Sequence, residues 1–156
     1  LGDVYKRQEG RLTLADAVYY ATNNLGATKL IDLATLTGAC VMALGEQVSG
    51  VVTNNDDFYN KLVKGNERAG EMVWKMPATD YYKKMNDSKT ADLKNSGGRL
   101  GGMMTAGLFV GSFLAKEIPW IHVDIAGTAS VEKAYGYVKE GATGVMVKSL
   151  YYALTE

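Results

Sequence analysis

Apolar residues recur at helical spacing through Leu14, Val18, Ala21 and Leu25. This predicts a helix over residues 12–24, closed by the glycine at position 26. The next apolar run, Leu30-Ile31-Asp32-Leu33-Ala34, has the length and composition of a buried strand. Thr37-Gly38 reads as a turn, followed by a short helical piece over residues 39–44. Residues 48–53 are β-branched and strand-like. Asn54-Asn55-Asp56 is a turn and helix cap, and Phe58, Leu62 and Val63 then line a helix to about residue 69. Met72-Val73-Trp74-Lys75-Met76 is a strand stopped by Pro77. Thr79 heads a short helix over residues 80–85, and residues 88–96 are polar with little pattern. The glycine-rich loop Gly97-Gly98-Arg99-Leu100-Gly101-Gly102 opens onto a helix over residues 103–116. Its small residues Ala106, Gly107 and Gly111 let another backbone approach closely. Residues 120–125 form a strand, Ala126-Gly127-Thr128-Ala129 leave it as a loop, residues 131–141 are irregular, and residues 143–154 form a final helix.

This alternation of helix and strand predicts an α/β fold: part of a three-layer domain, with a mixed, mostly buried sheet flanked by helices. Functional groups in such sheets collect where strands end at their carboxyl side. Here those ends are residues 35–38 and 124–129.

Bulk properties exclude some functions. The 156 residues make one domain the natural expectation, and seventeen basic and seventeen acidic residues balance to no net charge. Charge therefore gives no basis for nucleic acid or an anionic membrane as partner. A single cysteine, Cys40, allows neither an internal disulfide nor a thiolate metal cluster, which fits a cytoplasmic setting. No apolar run approaches the roughly 20 residues that span a bilayer.

The densest candidate chemistry is Glu9-Gly10-Arg11, which sets a carboxylate and a guanidinium two residues apart at the head of the first apolar-periodic run. On a helix they would diverge by about 200°, whereas on an extended chain they share a side. Joint action therefore predicts extended chain here, turning helical just after. The pair then suits a metal or an anion, and the plain alternative is a favourably charged helix start. His122, the sole histidine, lies in an apolar strand and reads as a hydrogen-bonded core group. No nucleophile elbow is present, and Cys40 sits among apolar residues, so triad hydrolysis is disfavoured. Residues 97–102 match neither a Walker loop nor a dinucleotide fingerprint. They are either a tight turn or an anion cradle. Asp32 and Asp124 are acids in apolar strands, either buried and paired or facing a site. The tyrosine doublets at 19–20, 81–82 and 151–152 lack the basic groove of a nucleic-acid platform.

Four ordered blocks carry a family resemblance. Glu9-Gly10-Arg11-Leu12, continued by Leu14-Ala15-Asp16-Ala17, resembles the end of the signature Asn-Thr-Asp-Ala-Glu-Gly-Arg-Leu of the leucyl aminopeptidase (cytosol aminopeptidase) family. The likeness continues through Ala34-Thr35-Leu36-Thr37-Gly38-Ala39, through His122-Val123-Asp124-Ile125-Ala126-Gly127-Thr128-Ala129, and through Gly141-Ala142-Thr143-Gly144. It implies the C-terminal portion of a catalytic domain over residues 9–156. The implied activity is a two-metal exopeptidase that releases N-terminal residues from peptides, cytoplasmic and hexameric, with two Mn²⁺ or Zn²⁺ ions activating a bridging water.

Carried over by residue, the resemblance makes Glu9 a metal ligand and Arg11 the holder of a bicarbonate that shuttles protons. Gly10 and Leu36 offer backbone groups near that anion. Leu36 and Gly38 line the substrate backbone, and Thr35, Ala126 and Ala129 form the side-chain pocket. Residues 1–8 depart from the pattern: Tyr5, Lys6, Arg7 and Gln8 stand where the signature has Asn-Thr-Asp-Ala. They read as a non-native leader, with Arg7 in the place of an aspartate ligand. The family's remaining ligands and its catalytic lysine would lie upstream. The expectation is an aminopeptidase fragment that alone binds no metal pair and is inactive. The alternatives are a non-catalytic assembly or interaction subunit that keeps the fold, and an unrelated anion-binding module built on residues 97–102.

Overall fold

The computed structural model describes the backbone of residues 2–155 and the side chains of residues 10–155. Four strands form a mixed sheet in the order β1-β4-β2-β3. Strand β1 (Leu30–Ala34) lies parallel to β4 (Trp120–Asp124), with Leu30 opposite Trp120 and Ala34 opposite Asp124. Strand β2 (Val48–Thr53) pairs antiparallel to β4 and parallel to β3 (Met72–Lys75). Every residue of the interior strand β4 is buried, as its unbroken apolar run requires. Edge strand β3 leaves Met72 and Trp74 exposed.

Alternation along the strands sends side chains to two cores. Val52 and Trp120 join Ala15 and Val18 of α1 (Gly2–Asn23) and Met103, Ala106 and Phe109 of α5 (Gly102–Gly111) on one face. Val51, Ile121 and Val123 pack on the other face with Phe58 and Leu62 of α3 (Asp56–Ala69), and with Met146, which precedes α6 (Val147–Thr155). Helices on both faces complete the three layers. Short helices α2 (Gly38–Leu44) and α4 (Asp80–Lys84) flank α5.

Local signals explain several boundaries. The Asn55 side chain caps α3 by accepting from the Phe58 amide at 2.8 Å, and Gly70 ends that helix in the left-handed region at φ 72°. Thr79 precedes α4 without a side-chain capping bond. The small residues of α5 serve close approach as expected. A Cβ on Gly107 would lie 2.8 Å from Val52 Cγ2 and 3.3 Å from His122 Cδ2. Gly107→Ala therefore lowers unfolding stability by about 1–3 kcal/mol, since both neighbours sit in a fully buried strand layer. Urea denaturation of this variant beside the parent protein measures the change.

Four boundaries differ from the sequence expectation. First, the backbone at Glu9-Gly10-Arg11 is helical, not extended, because α1 runs unbroken from Gly2. A single glycine costs a helix only about 1 kcal/mol, and good helix formers surround it. The side chains of the proposed leader 1–8, including Arg7, and that of Glu9 lie outside the described residues. Second, α5 stops at Gly111: Ser112 Oγ bonds back to the Leu108 carbonyl at 2.8 Å, and the Ala115 amide turns to Thr22 Oγ1 on α1 at 3.0 Å. Third, α6 starts at Val147, because Gly144 and Met146 take positive φ values of 66° and 71°. Fourth, the irregular stretch 131–141 is bracketed by a small antiparallel ladder, β5 (Ser130–Val131) with β6 (Gly141–Ala142).

The two strand acids are buried and paired. Asp32 Oδ1 lies 2.5 Å from His122 Nδ1, and Asp32 Oδ2 accepts from Trp120 Nε1 at 2.7 Å. His122 is a core group held by a neighbouring strand, as its apolar setting predicts. Asp124 is engaged differently, at the strand ends.

Candidate functional site

Because β1 and β4 run parallel and in register, their carboxyl ends emerge side by side. Strand β1 passes through Thr35 and Leu36 to Thr37, the N-cap of α2, whose hydroxyl accepts from the Cys40 amide at 3.0 Å. Strand β4 passes through Ile125 into the 126–129 turn, where the Thr128 and Ala129 amides both return to the Ile125 carbonyl. Asp124 joins the two. It is wholly buried; its Oδ1 accepts from Leu36 N at 3.0 Å and Ala126 N at 3.1 Å, and its Oδ2 accepts from Thr37 Oγ1 at 2.6 Å. Three donors offset the cost of burying a carboxylate.

Arg11 reaches the same region from α1. It is buried, lies 6.0 Å from the centre of the Phe109 ring, and donates from Nη1 to the Asn95 carbonyl. Its Nε makes no protein hydrogen bond. Burial pulls the guanidinium below the usual arginine value, and the Asp124 charge acts in the opposite direction. The Asn95 segment is itself anchored: Asn86 Nδ2 donates to the Thr105 carbonyl at 2.8 Å, and its own carbonyl accepts from Lys94 N at 2.7 Å.

Arg11, Leu36, Thr37 and Gly38 line one cleft of about 170 Å³ together with Ser96 and Arg99. A buried guanidinium, a second arginine and strand-end backbone around so small a space suit a small anion. The glycine-rich loop is therefore part of the Arg11 cleft and not a separate module. Sequence reasoning left Arg99 unassigned; a cation flanked by glycines at a helix start was the available signal. Gly10 is exposed on α1, and Thr35, Ala126 and Ala129 lie on the adjoining loops; none of the four is among the residues lining the cleft. A separate cleft of about 490 Å³ reaches Thr128 from the side of Glu71, Thr143 and Lys148. The Cys40 thiol is pushed up to about 11, first by burial and then by the Asp124 charge. That keeps it protonated at neutral pH and removes it as a nucleophile.

A divalent-metal centre needs several charged ligands in a defined geometry. Among the described residues, no group of three or more His, Cys, Asp or Glu is placed to hold a metal ion. The described residues therefore do not fit a two-metal centre by themselves, and the Glu9 carboxylate lies outside them. No helix among them is long and apolar enough to cross a membrane.

Comparison with known proteins places the chain in a family. The model of the cytosol aminopeptidase family, catalytic domain, matches residues 6–151. A probable cytosol aminopeptidase of Treponema denticola is 80% identical over 149 residues, covering 95% of this chain and 31% of that protein. One from Clostridium tetani is 51% identical over 144 residues, covering 92% and 30%. The chain thus spans under a third of the length of these relatives. Among solved structures, a tomato leucine aminopeptidase mutant is 43% identical with a TM-score of 0.85, covering 93% of this chain and 28% of that one. The bottromycin maturation enzyme BotP in complex with Mn is 34% identical with a TM-score of 0.88, covering 94% and 33%. The chain belongs to the cytosol aminopeptidase family, a family of two-metal peptidases, and lies within its catalytic domain.

Proposed function

We propose that this chain is the C-terminal part of the catalytic domain of a metal-dependent leucyl aminopeptidase, which releases N-terminal amino acids from peptides. The observation that carries the reading is the convergence of Arg11, Leu36 and Gly38 on one small cleft beside the paired ends of β1 and β4. In this reading Arg11 clamps a bicarbonate, with Gly10 and Leu36 contributing backbone groups near it. Leu36 and Gly38 hold the peptide backbone. Thr35, Ala126 and Ala129 wall the pocket for the N-terminal side chain, where small residues leave room for a bulky apolar group. Glu9 is one ligand of a pair of Mn²⁺ or Zn²⁺ ions, whose remaining ligands come from residues outside this chain. The intact protein is a cytoplasmic homo-hexamer acting on peptides, and residues 9–156 alone are inactive.

The full-length protein supplied with Mn²⁺ or Zn²⁺ is expected to hydrolyse leucine p-nitroanilide, and to lose that activity when the substrate amine is acetylated or the metal is chelated. Absence of hydrolysis with any free-amine peptide would overturn the reading. It would favour a non-catalytic assembly subunit, the alternative that Arg7 in place of an aspartate brings forward.

A further inference from the structure

Asp124 makes an unusual set of bonds for the last residue of a buried strand. Its side chain serves the chain beyond the sheet and ties together two loops that never pair with each other. One oxygen, Oδ1, takes the amides of both Leu36 and Ala126. The other takes the hydroxyl of Thr37, which also caps α2 just before Gly38. The far half of the 126–129 turn is fastened elsewhere. Thr128 Oγ1 lies 2.7 Å from Ser49 Oγ, Thr143 Oγ1 donates to the Thr128 carbonyl at 2.6 Å, and the Ala129 carbonyl accepts from Thr143 N at 3.0 Å. The turn is thus bonded to Asp124 at its near end and to Ser49 and Thr143 at its far end.

We propose that Asp124 is a positioning residue for substrate selection, coupling the side-chain pocket at Ala126 and Ala129 to the backbone-holding segment 36–38. The proposal rests on the aminopeptidase reading above. A bulky side chain seated against the 126–129 turn presses on the Ala126 amide. The shared carboxylate oxygen transmits this to the Leu36 amide, and the Thr37 hydroxyl carries it to the start of α2. Binding energy from the side chain then aligns the scissile bond and appears in kcat as well as in KM. A small side chain exerts no such load, so the carboxylate adds selectivity that pocket volume alone does not supply.

The experiment compares kcat/KM for leucine and alanine p-nitroanilides in the full-length protein. Asp124→Asn keeps the size of the side chain, puts a donor where Oδ2 accepted from Thr37, and by removing the charge weakens both amide bonds to the remaining oxygen. It is expected to reduce the leucine-to-alanine ratio on the order of tenfold, chiefly through kcat for leucine. Thr37→Val removes the Oδ2 bond together with the cap on the Cys40 amide but leaves both Oδ1 bonds, and should reduce the ratio by less, whereas Thr37→Ser should preserve it. The ratio does not depend on the amount of folded enzyme. Equal slowing of both substrates by Asp124→Asn would therefore show a merely structural role and overturn the proposal. Should Asp124→Asn fail to fold, Thr37→Val decides by the same ratio: a fall supports the coupling and no change overturns it. A wild-type protein inactive on both substrates would overturn the functional reading first, and this proposal with it.

Discussion

On the proposed aminopeptidase activity, Arg11→Lys is expected to slow leucine p-nitroanilide hydrolysis by the full-length protein about a hundredfold, with no recovery on added bicarbonate. The expectation follows from the geometry of the guanidinium and not from its charge. Nη1 is committed to the Asn95 carbonyl, while Nε, buried beside Phe109, makes no protein hydrogen bond. A planar fork presents separate, fixed donors to that carbonyl and to an anion; an ammonium gathers its donors on one atom and cannot match an oxyanion in the same two-point way. Burial in a low-dielectric wall strengthens each remaining interaction, so misplacing the charge costs more here than it would at the surface. Turnover measured across a bicarbonate series is the direct check. Wild-type rates in the variant would remove Arg11 from the site.

Asp32→Ala destabilises the fold by about 3 kcal/mol or more, a large share of the roughly 5–15 kcal/mol that holds a domain together. One carboxylate serves two buried donors on β4, the Trp120 indole at 2.7 Å and the His122 imidazole at 2.5 Å. Removing it leaves both without that acceptor in a layer where Trp120 and His122 are 2% and 0% exposed. The damage falls on the β1–β4 pairing that sets the 35–38 and 126–129 loops side by side, so in the full-length protein the loss of stability and the loss of the proposed activity should share one transition. Urea midpoints read by tryptophan fluorescence, taken with residual activity at each concentration, test this. A midpoint unmoved from wild type would mean that other groups satisfy the indole and the imidazole.

Much of the architecture was legible before any coordinates. The strands at residues 30–34, 48–53 and 72–75, the cap at Asn54-Asn55-Asp56 and the end of that helix near residue 69 follow from apolar period, β-branching and cap chemistry. All of these are properties of a few adjacent residues. Boundaries failed where a local preference met a competing contact. Helix α5 ends early because Ser112 and Ala115 find other partners, and α6 begins late because Met146 adopts a left-handed backbone. Extended chain at Glu9-Gly10-Arg11 is expected only if the two charges act on the same side of the chain, with a charged helix start as the alternative. The helix formers around one glycine outweigh that assumption.

The candidate site divides along the same line. Arg11, Leu36 and Gly38 could be singled out from motifs, and the ends of the two strands from the α/β pattern. Their meeting could not. It depends on β1 choosing β4, some 90 residues away, as its parallel neighbour, and on Asp124 binding donors from both loops. The placement of Arg99 and the 97–102 loop against Arg11 depends likewise on Asn86 and Asn95, which carry no periodic signal. The order of elements, the α/β class, the family resemblance and the residue types available for chemistry can all be read along the chain. These are encoded in short-range backbone preference and in the spacing of apolar side chains. Only the tertiary structure decided which of those residues share a cleft and which acid holds the two loops together. Strand order and buried hydrogen bonds between distant segments are set by the packing of the whole chain, and they leave no local pattern from which they can be read.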